Sequence, residues 1–335
     1  MADLRMDELL AGLRAIGEST RLRLLFILSH GEFNVTELTG ILGQSQPRVS
    51  RHLKLLTEAG LLERHREGSW MLFRLGEEGT GAALAHMIAD LLPADDPALL
   101  RDLERLEALR SERASAAAAY FRTNAEDWDS IRSLHVAEED VEQAMADILA
   151  DAGPIGTLLD LGTGTGRMLE LFARDAEHGI GVDLSREMLA VARSNLERAG
   201  LKHCQVRHGD LFHLPYRNDS ADAITVHQVL HYLEDPERAL SEAARVLSPE
   251  GQMLVVDFAP HELEFLREGH AHRRLGISDD QFASWAQRAG LKVVSHEQLP
   301  PPPTIANGLT VSIWLARPVH ARTDATVMAS EAEPA

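Results

Sequence analysis

The sequence predicts two domains of different class: a small, mainly α domain carrying a β-hairpin, then a larger α/β domain on a doubly wound sheet. Two patterns predict this. Up to about residue 92, apolar residues recur at helical spacing around one basic stretch and one hairpin signal. From Thr157 onward, short apolar strands alternate with helical segments. A length of 335 residues suits two domains of roughly 100–200 residues each.

Composition narrows the function classes. With 44% hydrophobic and 25% charged residues, the chain is not a disordered polymer. No apolar run approaches the ~20 residues of a membrane helix. The start, MADLRMDELL, lacks the apolar core of a signal peptide, so a cytoplasmic location and no membrane partner are expected. Cys204, the single cysteine, excludes an internal disulfide framework and a multi-thiolate zinc site. The net charge is −19, yet residues 44–75 carry Arg48, Arg51, Lys54, Arg64, Arg66 and Arg74 against Glu58, Glu63 and Glu67. A cationic stretch in an acidic chain implies either a solvated surface or a local anionic partner.

Residues 7–29 read as two helices, with Leu9, Leu10, Leu13 and Ile16, then Leu22, Leu25, Phe26 and Ile27, at helical spacing, and Gly31 stops the second. Val35-Thr36-Glu37-Leu38 opens a short helix ending near Leu42-Gly43. Ser45-Gln46-Pro47-Arg48 then offers a hydroxyl N-cap and a first-turn proline, and the next helix runs to Gly60. Two short helices around a tight turn form a helix-turn-helix. Leu61–His65 and Trp70–Leu75 flank Arg66-Glu67-Gly68-Ser69 as a hairpin with a basic tip, which makes the unit a winged helix.

The run QSQPRVSRHLKLLTEAGLL from Gln44 to Leu62, with the Trp70 hairpin, resembles the recognition helix and wing of ArsR-type winged-helix repressors. The resemblance covers about residues 7–80 and implies a DNA-binding transcriptional regulator acting as a homodimer, through this domain, on a double-stranded operator. A helix in the major groove presents its N-terminal and outer-face side chains to bases. Gln46, Arg48, Ser50 and Arg51 stand there, with His52 and Lys54 available to phosphates and Arg66 on the hairpin; Val49, Leu53 and Leu56 fall on the core side. Metal-sensing relatives carry a Cys-x-Cys pair where this chain has Asn34 and Thr36, which cannot replace thiolates. His86 and Asp90, four apart, are expected to be an ordinary surface pair rather than part of a metal site.

A helix is expected over 77–92, Pro93–Pro97 breaks it, and a long connecting helix follows from Leu99 to about Ala119, a candidate surface for a second subunit. The expected organisation is a DNA-binding domain over 1–92, a helical linker and cap over 93–144, an α/β domain over 145–318 and a disordered tail over 319–335. Strands are expected at Thr157–Leu161, Gly179–Asp183, His203–His208, Ala223–Val226, Gln252–Phe258, Lys292–Ser295 and Val311–Arg317.

The first strand of that set ends in Asp160-Leu161-Gly162-Thr163-Gly164-Thr165-Gly166. Glycines there let backbone approach a ligand closely, and a helix N-terminus favours a carboxylate. The Gly-x-Gly-x-Gly spacing differs from the Gly-x-Gly-x-x-Gly of nicotinamide-binding folds. It resembles motif I of class I S-adenosylmethionine (SAM)-dependent methyltransferases, and four further stretches follow in the same order. They are Gly181-Val182-Asp183, His208-Gly209-Asp210-Leu211, the run Ala223–Pro236, and Arg245–Gln252. Over about 145–318 the chain resembles methyltransferases of ubiquinone and menaquinone biosynthesis, implying a Rossmann-like sheet with SAM as cofactor and S-adenosylhomocysteine as product or effector. The resemblance implies that Asp160 meets the ligand's ammonium, Asp183 with Leu184 its ribose, and Asp210 with Leu211 its adenine, while Gly162, Thr163, Gly164 and Gly166 line the methionine portion.

Methyl transfer needs chiefly an acceptor aligned with the methyl group, and a base only where the acceptor arrives protonated. His227, beside the methyl, and His231, in the first turn after the fourth strand, are the candidate catalytic groups; packing or cofactor contact is the competing reading. The His270-x-His272 pair lacks an evident third ligand, so no metal is expected. Tyr120-Phe121 and Trp128-Asp129 are expected to dock the linker helix rather than to cover the cofactor. Arsenite methyltransferases need several cysteines, so Cys204 alone argues against that substrate. The leading reading is a regulator fused to a methyltransferase acting on a small-molecule acceptor. Its alternatives are a non-catalytic regulator sensing SAM or S-adenosylhomocysteine, and a standalone enzyme whose winged helix only dimerises.

Overall fold

The computed structural model describes residues 6–67, 69–125, 127–128, 131, 137–150, 155–303, 305 and 307–319; of the disordered tail expected over 319–335, Val319 is described, its N–H on the Gly290 carbonyl at 2.9 Å, while residues 320–335, like Asp129, lie outside the described residues. The chain divides into two compact units. One holds residues up to Ala119 together with Glu262–Ala271, and the other holds Tyr120–His261 and the chain from His272 on. Among the described residues no helix is long and apolar enough to cross a membrane.

In the first unit, α1 (Met6–Ile16) and α2 (Ser19–Leu28) lead through β1 (Phe33–Asn34) into α3 (Val35–Leu42) and α4 (Gln46–Glu58). The hairpin β2 (Leu62–Glu67) and β3 (Trp70–Leu75), then α5 (Gly79–Leu91), follow. Side chains fix the helix starts. Glu18 accepts the Arg21 N–H ahead of α2, and Asn34 and Glu37 form a reciprocal capping box on α3, which is the structural use of the position where metal-sensing relatives carry a thiol. Ser45 holds the N-cap position of α4 by backbone conformation alone, without a side-chain cap bond. Leu24, Leu25, Ile27, Leu38, Ile41, Val49, Leu53, Leu56 and Leu61 form the core of this unit.

The sheet of this unit has three strands in the order β1-β3-β2. Sequence periodicity misses β1 because two residues are too few to show alternation; its Phe33 is buried and pairs with Phe73.

The long helix α6 (Pro97–Asn124) begins on this core, where Leu99, Asp102 and Leu106 are buried. Asp102 pairs both its oxygens with Arg23 at 2.6 Å, Arg105 donates to the Ile41 carbonyl at 3.0 Å, and Arg110 donates to the His30 carbonyl at 2.7 Å. The N-terminal part of this helix satisfies carbonyls and an arginine of its own chain. The segment Glu262–Ala271 belongs to the same unit, with the Arg267 guanidinium 4.0 Å over the Trp70 ring and paired with Glu67 and Glu264. Because Asp102 is fully buried, Asp102→Ala leaves a largely covered guanidinium without its carboxylate, holding only the Leu42 carbonyl. We expect it to destabilise this unit by about 3 kcal/mol in urea unfolding.

The second unit is a seven-stranded sheet. Its elements are α7 (Glu138–Ala150), β4 (Ile155–Leu161), α8 (Arg167–Phe172), β5 (Ala176–Asp183), α9 (Arg186–Arg198), β6 (Cys204–His208) and β7 (Ala221–His227). They continue with α10 (Pro236–Val246), β8 (Leu247–Phe258), α12 (Asp279–Arg288) after the short α11 (Phe265–Gly269) of the first unit, β9 (Leu291–Leu299) and β10 (Val311–Pro318). The order is β6-β5-β4-β7-β8-β10-β9. The first five strands pair in parallel, and β10 runs antiparallel to both β8 and β9.

Alternation of strand and helix demands this arrangement, since a parallel pair needs a crossover and the crossovers cover both faces. The core follows from it: Leu159, Leu161, Ile224, Val226, Val255, Phe282 and Trp314 are buried together, with the last two rings stacked at 4.4 Å. Strand β8 begins five residues before the expected Gln252, because a register shift between Ala221 and Ala223 absorbs the Ser248–Gly251 turn into the ladder. The strand order reverses at β4 and β7: from β4 the chain moves outward through β5 to β6, then returns to add β7 on the other side of β4. That switch point leaves a crevice at the carboxyl ends of the strands, where open α/β sheets bind ligands.

Candidate functional site

The turn after β4 is built for close approach. Gly162 has φ +72°, in the left-handed region, and a Cβ there would come within 2.4 Å of Val229. The N–H groups of Gly162 and Thr163 both donate to the Val182 carbonyl, at 2.8 and 3.0 Å, which ties the turn to the end of β5. Thr163 packs on the neighbouring strand, where a Cβ on Gly181 would lie 2.6 Å from its hydroxyl. That hydroxyl is buried and has no hydrogen-bond partner among the described residues. Helix α8 has only six residues before a 3-10 turn, so the glycine backbone rather than a long helix dipole shapes the turn.

Asp183 closes the same corner from the tip of β5. One carboxylate oxygen accepts the Gly164 N–H at 2.9 Å and the other accepts the Ser185 N–H at 2.8 Å. Burial pushes this carboxyl above the usual aspartate range, against the downward pull of those backbone N–H groups. A half-buried acidic group at a strand tip beside a left-handed glycine turn is matched to a ligand carrying hydroxyl donors.

The other sequence-predicted residues fall on the same edge with different exposures. Asp160 is 1% exposed and accepts the Thr225 hydroxyl of β7 at 2.7 Å. Leu184 is exposed, Asp210 is exposed and accepts the Phe212 N–H at 2.9 Å, and Leu211 is buried in the sheet's core. His227, the last residue of β7, is buried. Gln228 follows in a left-handed conformation, its N–H on the Val256 carbonyl at 2.7 Å and its amide on Glu138 at 3.2 Å.

The placement of Trp128 and the partner of His231 escaped the sequence reading. Trp128 lies over the glycine turn, with its Nε1 3.5 Å from where a Cβ on Gly164 would stand, so it does more than dock a helix. His231 is buried against Asp257, Nδ1 to Oδ1 at 2.7 Å. The signal for Asp257 was an acid in the apolar run Leu254-Val255-Val256-Asp257-Phe258, where an unpartnered charge is costly.

In the first unit, α4 presents Gln46, Arg48, Ser50, Arg51 and Lys54 to solvent, and Arg66 is exposed on β2. Val49, Leu53 and Leu56 are buried on the opposite face, as a 3.6-residue period requires. Arg48 stands 3.7 Å from Glu18, and Lys54 3.7 Å from Glu58. His52 turns toward Glu18 at 3.7 Å. Burial, aided by Arg21, Arg48 and Arg51 against Glu18, holds its imidazole below the usual histidine value. His86 contacts the Gly76 carbonyl at 3.1 Å.

Comparison with known proteins places both regions. Residues 18–64 match the family described as bacterial regulatory protein, arsR family, and residues 159–255 match the family described as methyltransferase domain. The chain is 30% identical over 168 residues to a demethylmenaquinone methyltransferase of Clavibacter sepedonicus, an alignment covering 42% of this chain and 68% of that protein. It is 36% identical over 106 residues to the uncharacterized methyltransferase YcgJ of Bacillus subtilis, covering 31% of this chain and 42% of that one. The crystal structure of YcgJ aligns over 53% of this chain and 99% of its own, at 21% identity and a TM-score of 0.44.

Proposed function

Because the chain belongs to the SAM-dependent methyltransferase family that includes the demethylmenaquinone methyltransferases, and joins to it an arsR-family helix-turn-helix, we propose that it binds duplex DNA and transfers a methyl group from SAM to a small-molecule acceptor. The observation that carries the transfer reading is the corner formed by the left-handed glycine turn and Asp183, with the unpartnered Thr163 hydroxyl beside it. These groups suit the cofactor: a backbone that approaches closely, an acceptor for ribose hydroxyls and a spare polar atom.

SAM supplies an electrophilic methyl group on a sulfonium that leaves as a neutral thioether. Asp183 accepts the ribose hydroxyls beside Leu184, and Asp210 takes the adenine amino group with Leu211 behind it. Asp160, oriented by Thr225, faces the ammonium, while Gly162, Thr163, Gly164 and Gly166 follow the methionine portion. His227, buried at the end of β7, would border the methyl and help align the acceptor in line with it. Orientation of this kind supplies several kcal/mol of the barrier.

The DNA reading rests on the division of α4 into a cationic outer face and an apolar inner one. Gln46, Arg48, Ser50 and Arg51 read bases, His52, Lys54 and Arg66 meet phosphates, and two copies of the chain engage a near-palindromic operator. Incubating the chain with methyl-labelled SAM and a panel of phenol, thiol and amine acceptors tests the transfer reading. Label in product supports it, and no product from any acceptor class contradicts it.

The Asp183 carboxyl adds a pH signature. Its folded-state pKa is raised, so the stability it contributes is complete below the ordinary aspartate value of 3.8 and is lost as pH rises through the raised value. Ligand binding uses the ionised form and so has the opposite sign. SAM affinity is expected to fall as pH drops through the raised pKa, above the ordinary aspartate range, and Asp183→Asn should flatten that dependence in calorimetric titrations.

A further inference from the structure

We propose that His231 is the general base of the transfer and that the acceptor it serves is a planar hydroxyl of the phenol class. This rests on the transfer reading above and adds to it the group that takes the proton and the substrate chemistry that needs one.

The placement comes first. After β7 the chain turns at Gln228 and returns through Val229, the side chain that a Cβ on Gly162 would strike, so this segment borders the glycine turn. Trp128 borders the same turn, and its ring centre lies 6.4 Å from that of Tyr232, which is 4.0 Å from that of His231. A path of rings thus connects the glycine turn to His231. The backbone there is fixed, since the His231 carbonyl accepts the N–H groups of Arg273 and Arg274 at 3.0 and 3.1 Å.

The chemistry follows from the partners. Asp257 accepts the backbone N–H of His231 at 3.2 Å and that of Phe258 at 2.8 Å, besides its 2.7 Å contact with Nδ1 of His231. A carboxylate that gathers N–H donors places the ring hydrogen on Nδ1 and leaves a lone pair on Nε2. That Nε2 is buried and has no hydrogen-bond partner among the described residues. A buried acceptor without a donor is costly, and an acceptor hydroxyl relieves it. Burial pushes the Tyr232 hydroxyl well above its ordinary value, reinforced by Tyr120 and Asp257, and burial raises Tyr120 too, so neither phenol competes as base.

The surroundings of His231 are aromatic. His272 lies 4.2 Å and Phe258 4.9 Å from His231 between ring centres, and Phe121 lies 4.9 Å from Tyr232. Imidazole also matches phenols: a phenol titrates near ~10 against ~6.5 for imidazole, whereas bulk water at ~15.7 sets the scale of an aliphatic alcohol. Thiols ionise more readily and neutral amines attack without prior deprotonation, so a base matters most for phenols. In the step, the acceptor O–H bond breaks and its proton passes to Nε2. The oxygen's electron pair forms the O–CH3 bond as the methyl's C–S bond breaks, its pair staying on sulfur. The imidazolium then releases its proton to solvent. His231 is the catalytic residue, and Asp257 is a positioning residue that fixes its tautomer.

The test compares the full-length wild type, His231→Gln and Asp257→Asn, with SAM and two acceptors: an ordinary phenol and a nitrophenol already ionised at neutral pH. With the ordinary phenol we expect turnover to fall by about 10²–10⁴-fold in His231→Gln. With the ionised one we expect a loss below about tenfold, and the heat of SAM binding should be retained. Nitrogen NMR of the wild type without SAM should show His231 protonated at Nδ1 and bare at Nε2, and Asp257→Asn should disturb that signature even if His231→Gln fails to fold. Equal losses with both acceptors overturn the proposal, as does a ring protonated at Nε2. A wild type that methylates amines, thiols or ring carbon but no phenol oxygen overturns this inference and leaves the transfer reading standing. A wild type that binds no SAM overturns both.

Discussion

Replacing Asp183 with alanine is expected to weaken SAM binding by about 10²–10³-fold, the loss of roughly two hydrogen bonds to a charged acceptor. The argument has two parts. In the proposed function the carboxylate is the acceptor at the tip of β5 that would meet the ribose of a ligand in the crevice. It also holds the site together, since it accepts the N–H groups of Gly164 and Ser185 at 2.9 and 2.8 Å. Alanine removes both roles, leaving two N–H groups to find water and the glycine turn less ordered. Asparagine keeps one acceptor oxygen and no charge, so its loss should be intermediate. Titration calorimetry with circular dichroism as a folding control reads both. Near-native affinity in Asp183→Ala would move the ribose site elsewhere on the sheet edge.

Arg51→Ala is expected to lower affinity for operator DNA by about 10–100-fold at low salt, the range of one well-made base contact. Arg51 is exposed on the outer face of α4, opposite the buried Leu53 and Val49, and it shares that face with Arg48 and Lys54. The chain's net charge of −19 does not cancel this, because exposed charges separated by more than ~8 Å are largely screened at physiological ionic strength. Arg198→Ala changes the total charge equally but lies exposed on α9 of the other unit, and it should leave binding within about twofold of wild type. Gel-shift titrations against the DNA upstream of the coding region compare the two. Equal effects would mean that overall charge, not this helix, sets the affinity.

The parts of the molecule that were legible in the sequence are those fixed by local rules. The faces of α4 follow from helical period, so Val49, Leu53 and Leu56 go inward and Arg48 and Arg51 outward. The glycine turn is legible because Gly162 must adopt a left-handed conformation against Val229, a demand other residues meet poorly. What stayed hidden depends on strand order and packing. The His231–Asp257 contact joins residues 26 apart that only the β7–β8 pairing brings together. The Thr225 bond to Asp160 likewise depends on β7 lying beside β4. Trp128 shows no periodic pattern that announces a place over Gly164. The start of α6 on the first unit's core comes from Asp102, a charged residue that composition assigns to the surface and Arg23 draws inside.

The central claim is that the glycine turn and Asp183 hold an adenosyl ligand at the carboxyl edge of the sheet. It is tested most directly by calorimetric titration of the full-length chain with S-adenosylhomocysteine. The account predicts saturable heat with one ligand per chain in the wild type, and heat lost in Asp183→Ala over the same concentration range. No saturable heat in the wild type, or an unchanged isotherm in the variant, would contradict it.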